Sequence, residues 1–194
     1  MTGSLDVINN PKIDKISKWQ PVISDYTKQF LSSLPEEDFP KEAKNNLLNE
    51  TFKILSCCHN PKNNNDEDKS TGLVIGRVQS GKTTSFKTLS MLAADNGFKL
   101  IILFAGRTNN LINQNLGEFE DLKAKISEPF IPIGAESGLK SWKRDIPNFL
   151  SQVQDLPGIP GTPIMFVVNK HAGHINSIAN TLKKHRTYLR NLNT

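Results

Sequence analysis

Eight consecutive residues, Gly76-Arg77-Val78-Gln79-Ser80-Gly81-Lys82-Thr83, carry the densest chemical signal in this sequence. They satisfy GxxxxGK[ST], the phosphate-binding P-loop pattern, in which glycines let backbone N–H groups approach phosphate oxygens, a lysine supplies a point charge and a hydroxyl meets a metal ion. Such a match arises by chance in roughly one sequence in a hundred of this length. The context strengthens it, because the pattern follows the apolar run Leu73-Val74-Ile75 and precedes a helical segment whose N-terminus adds partial positive charge at the same place. Gly76, Arg77, Val78, Gln79, Ser80 and Gly81 are therefore expected to wrap the phosphates of ATP, with Lys82 as the catalytic cation and Thr83 as the ligand to Mg²⁺. Thr84 is expected to face the sheet or the nucleotide, and Gln79 the nucleotide or a following lobe. A glycine turn with no ligand is the plain alternative.

Binding is not hydrolysis, because turnover needs a carboxylate that holds the metal and orients water, usually an Asp or Glu ending a later strand. The apolar run at 100–104 leads into Ala105-Gly106-Arg107, and the run at 164–168 into Asn169-Lys170-His171, so neither offers an acid. The chain is expected to stop short of that element.

Other residue sets have two readings each. His171 and His174 are three apart at a helix start, a spacing metals can use, but no acid or third ligand is near in sequence, and the plain reading is helix-start or surface histidines. Trp142 among Lys140, Lys143 and Arg144 could stack on a base between phosphate-binding cations or anchor a loop to the core. Lys183, Lys184, His185, Arg186 and Arg190 form a second basic cluster that is equally a solvated helix face. Arg107 and Gln114 could touch phosphate or base edges, or be an ordinary strand exit and helix face.

The elements that must position the motif follow from the apolar pattern. The runs 73–75, 100–104 and 164–168 are continuous rather than alternating, as in strands buried on both faces of a parallel sheet. Helices are expected over roughly 82–96, 109–125 and 172–192, which gives alternating βα units. Before them, helical spacing over about 13–34, interrupted by Pro21 and closed before Pro35, and again from Pro40 to the cysteines, predicts a helical N-terminal appendage over 1–62. The polar segment 63–71 reads as a linker or loop, and 72–194 as an incomplete P-loop domain. Residues 128–162, rich in Pro and Gly, give no readable element.

The 194 residues suffice for one core, and the net charge of +5 is spread along the chain, which raises the prior for an anionic partner only modestly. Two adjacent cysteines, Cys57 and Cys58, exclude a disulfide framework or a four-ligand zinc site and read as buried thiols in a reducing compartment. With no apolar run of about 18 residues and no signal-peptide core, the expected location is the cytoplasm.

Taken in order, GLVIGRVQSGKT at 72–83, LFAGRTNNLINQN at 103–115 and FVVNKHAGHINSIANTL at 166–182 resemble the first lobe of superfamily 2 helicases. The second block resembles their motif Ia, which implies that Arg107, Thr108 and Asn109 touch a nucleic-acid backbone. VQSGKT after paired helices is similar to the ATPase part of bacterial proteins that carry a Z-one (endonuclease-like) domain. The resemblance covers about residues 40–182 and implies a RecA-like P-loop NTPase fold, a parallel sheet flanked by helices after a small helical segment. It implies further a DNA-dependent ATPase of bacterial DNA restriction or anti-phage defence, with ATP and Mg²⁺ as cofactors and DNA as partner. The DExx-type acidic box, the second lobe with its arginine finger and the nuclease-like domain are not in this sequence. ATP hydrolysis is therefore expected only when a partner subunit or downstream domains complete the site. Two other readings stand beside it. One is a nucleoside-kinase-like phosphotransferase, against which the missing zinc cysteines and base-activating acid count; the other is a non-catalytic nucleotide-binding interaction module.

Overall fold

The computed structural model describes residues 6–7, 19–62, 74–75, 81–106, 108–134 and 162–184. The expected linker at 63–71, the basic cluster around Trp142, the C-terminal cations from His185 onward and the helical spacing before Trp19 lie outside the described residues. The chain divides into two units, Met1–Asn96 and Gly97–Thr194.

In the first unit, helices α1 (Asp25–Ser33) and α2 (Lys41–Ser56) both pack against α3 (Lys82–Asp95). Helix α1 ends where Leu34 turns extended, because Pro35 excludes the helical conformation from the residue before it. Pro40 likewise fixes the start of α2, where Glu36 accepts the Lys41 N–H at 3.1 Å and pairs with Lys44 at 2.9 Å. The hydrogen bond and charge of Lys44 hold the Glu36 carboxyl below the usual carboxylate range. Met91 and Leu92 of α3 are wholly buried, and Phe30, Leu47 and Leu55 supply the apolar surfaces of α1 and α2. The Thr88 hydroxyl is also sealed from water, which it tolerates by donating to the Thr84 carbonyl one turn back at 2.8 Å.

The last residues of α3 do unusual work for α1. Asp95 accepts the N–H groups of Ser24 and Thr27 on one carboxylate oxygen, at 2.9 and 3.1 Å, and that of Tyr26 on the other at 3.0 Å. Tyr26 and Thr27 are first-turn donors that an α-helix cannot satisfy within itself, and Ser24 is the residue before it. The cap is thus borrowed from another helix. Next to it, Asn96 clamps Val22 from both sides, its Oδ1 accepting the Val22 N–H at 2.7 Å and its Nδ2 donating to the Val22 carbonyl at 2.9 Å. Trp19 donates from Nε1 to the Cys58 carbonyl at 2.8 Å, which ties the same segment to the end of α2. Residues 19–24 are accordingly non-helical, although Val22 and Ile23 fit the helical spacing of the sequence. Both cysteines are free thiols and half-buried, and burial, with a smaller contribution from Cys57, pushes the Cys58 thiol up.

Thr27 is fully buried, and its hydroxyl has no hydrogen-bond partner among the described residues. Thr27→Val removes this unmet polar group at nearly constant shape. It is expected to leave stability unchanged or raise it by up to about 1 kcal/mol in urea unfolding. A loss above about 1 kcal/mol reveals a partner for the hydroxyl.

Strand β1 (Asp6–Val7) and strand β2 (Val74–Ile75) form a two-residue antiparallel ladder, with Asp6 opposite Ile75 and Val7 opposite Val74. The strand expected at 73–75 is therefore present, but its described neighbour runs antiparallel instead of parallel. A three-residue apolar run signals burial and extension and leaves the direction of its neighbour open.

The second unit is built on a parallel sheet of β3 (Leu100–Ala105), β4 (Ile131–Gly134) and β5 (Ile164–Asn169) in the order β3-β5-β4. Residues 164–168 of the central β5 are all buried, as its continuous apolar run requires. Helix α5 (Ala172–Lys184) covers one face, where Ile178 and Leu182 meet Ile164, Phe166 and Val168 together with Leu100, Ile102, Ile131 and Ile133. Helix α4 (Asn109–Lys125) lies on the opposite face, because Gly134, of opposite parity to Ile133, has Leu116 of α4 where a Cβ would be. Strand β4 is an element that the sequence pattern does not announce. Pro132 and Gly134 interrupt its apolar signal, and a proline is tolerated there because β4 is an edge strand among the described residues.

Candidate functional site

The described part of the phosphate-binding pattern is its C-terminal half. Gly81 is the N-cap of α3 and adopts a left-handed conformation, φ 66° and ψ 28°. Open space surrounds the position of a Cβ there, so the backbone and not crowding favours glycine. Lys82 is the first helical residue and is exposed; Thr83 and Thr84 follow, half-buried. Gly76, Arg77, Val78, Gln79 and Ser80 lie outside the described residues.

The first bond of α3 runs from the Ser85 N–H to the Gly81 carbonyl at 3.0 Å, so the N–H groups of Lys82, Thr83 and Thr84 have no acceptor within the helix. Glycine has no side chain to cap them, and no acidic residue occupies the first turn. The other helix starts of the described chain are served differently: α1 by Asp95, α2 by Glu36, α4 by Thr108 and α5 by His171. Three donors without an acceptor among the described residues, the positive end of the helix dipole and the Lys82 ammonium are together suited to an anion, and the Thr83 hydroxyl to a hydrated cation held against it. Phosphate oxygens with an accompanying divalent cation are a ligand of the kind such a helix start could hold.

The residues implied to touch nucleic acid sit at the carboxyl end of β3 in the second unit. Thr108 is exposed and already has a structural task, its Oγ1 accepting the Leu111 N–H at 3.4 Å as the N-cap of α4. Asn109 is the exposed first residue of that helix, and Arg107 lies outside the described residues. Sequence reasoning passed over Lys170, which is exposed at the exit of β5. Its N–H donates to the carbonyls of Ala105 and Gly106, at 3.3 and 2.8 Å, which pins the exits of β3 and β5 side by side. Its position was legible, since ligands of open α/β sheets gather at the carboxyl ends of the strands.

His171 follows Lys170 and acts as a cap, its Nδ1 accepting the Gly173 N–H at 3.2 Å. The bond needs an unprotonated Nδ1, which describes a helix-start histidine rather than a ligand. Among the described residues no group of three His, Cys, Asp or Glu side chains could hold a metal ion.

A Cβ at Gly106 would overlap the end of the Leu111 side chain, which must turn aside to admit it. Gly106→Ala is expected to cost up to about 1 kcal/mol in chemical denaturation, because the exposed Leu111 end can move. Adding Leu111→Ala should return part of that loss, since Leu111 is 41% exposed and contributes little burial of its own. Strict additivity of the two changes contradicts the proposed contact.

No described helix is long and apolar enough to cross a membrane. No protein-family model matches the chain, and neither the curated proteins nor the solved structures contain a significant match to it.

Proposed function

We propose that the chain binds the phosphates of Mg-ATP at Gly76–Thr83 and forms the ATP-binding first lobe of a helicase-like, DNA-dependent ATPase of bacterial DNA restriction or anti-phage defence. The observation that carries the reading is the placement of its GKT end. Gly81 adopts the left-handed conformation, and Lys82 and Thr83 open a helix whose first-turn donors are uncapped among the described residues. The parallel sheet of the second unit, with a helix on each face, agrees in kind with an α/β lobe, although β2, which precedes the motif, pairs with β1 outside that sheet. The motif Ia resemblance supports DNA as the partner through Arg107, Thr108 and Asn109.

In this reading Lys82 neutralises the terminal phosphates, the first-turn N–H groups of α3 orient them, and the Thr83 hydroxyl would help to hold Mg²⁺. Mg²⁺, if bound there, would supply positive charge that offsets that of the phosphates. The described parallel strands end in Ala105, Gly134 and Asn169, so none presents a carboxylate at its exit to position the attacking water. Hydrolysis then depends on an acidic group from elsewhere.

Calorimetric titration with ATP, with and without Mg²⁺, tests the binding step, and phosphate release with and without DNA tests the second. Saturable Mg²⁺-dependent binding with no DNA-stimulated turnover is expected. Turnover that rises with DNA contradicts the missing acid, and an absence of ATP binding removes the assignment.

A further inference from the structure

We draw no further inference here: the strongest candidate, the carboxyl edge of the parallel sheet where the starts of α4 and α5 flank exposed Lys170, Phe104 and Ile175, rests on helix N-termini with no second observation pointing to a ligand and otherwise restates the nucleic-acid contact already implied by the resemblance.

Discussion

Lys82→Ala is expected to weaken Mg-ATP binding by about ten- to a hundredfold while leaving the fold intact. A hydrogen bond to a charged group contributes about 1.5–3 kcal/mol, and every 1.4 kcal/mol is a factor of ten in affinity. The magnitude belongs at the upper end, because the lysine is the only side-chain cation among the described residues of the motif. The fold should not notice. Lys82 is exposed, engages no described side chain and opens a helix in which alanine is the best former. Stability should therefore change by no more than about 0.5 kcal/mol.

Lys28→Ala, at an exposed position of α1, removes the same charge from the chain and is the natural comparison. Unequal losses, large at Lys82 and small at Lys28, assign the effect to the loop. Equal losses would reduce it to long-range attraction, and unchanged affinity in Lys82→Ala would remove Lys82 from the site. The decisive comparison is a calorimetric titration of both variants at two salt concentrations, since a screened surface charge fades with salt and a direct phosphate contact fades less.

The second large effect concerns stability. Asp95→Ala should destabilise the chain by about 2–4 kcal/mol, because one substitution removes the acceptor of two N–H groups of α1 and of its N-cap Ser24. A lost cap alone costs about 1 kcal/mol, and each part-buried donor left unmatched adds to that. The three bonds share one carboxylate, so their losses do not simply add. Asp95→Asn keeps one acceptor oxygen and should fall between wild type and alanine. In thermal unfolding a 3 kcal/mol loss lowers the midpoint by roughly 6–12 °C for a chain of this size. If Asp95→Ala and Asp95→Asn are both silent, α1 does not depend on this cap.

The sequence showed most of the elements and few of the ties between them. Helix α4 spans Asn109–Lys125 as its periodicity predicts, because an apolar stripe with a Thr at its head is a complete local instruction. Strands β3 and β5 were equally legible, being unbroken runs of Ile, Leu, Phe and Val whose burial leaves no other reading. Strand β4 was not, since Pro132 and Gly134 imitate a loop, and only its register against β5 identifies it. The helical spacing through Val22 and Ile23 was overridden by Asn96, and no local pattern reports a partner that far along the chain. The antiparallel neighbour of β2 was hidden for a similar reason, as Asp6–Val7 is too short to stand out.

The candidate site divides the same way. Lys82 and Thr83 at the head of a helix follow from the motif, and the structure places them there. The capping by Thr108 and His171 is geometry that residue type alone permits without requiring. Lys170 was legible only from the rule that strand exits collect ligands, and its backbone tie to Gly106 was not.

The cap that Asp95 lends to α1 also sets an order of events during synthesis. Helix α1 has 9 residues, fewer than the roughly 12–15 at which an isolated helix becomes even marginally stable in water. Its cap lies 68 to 71 residues farther along the chain. At about 5–20 residues per second, the ribosome needs several seconds to make the intervening stretch. During that interval the first helix waits as an unsettled segment, and it locks only when α3 has emerged and its last turn reaches back. The N-terminal helix is thus early in the sequence and late in folding, and the closing of this long loop belongs among the slow steps that non-local contacts impose.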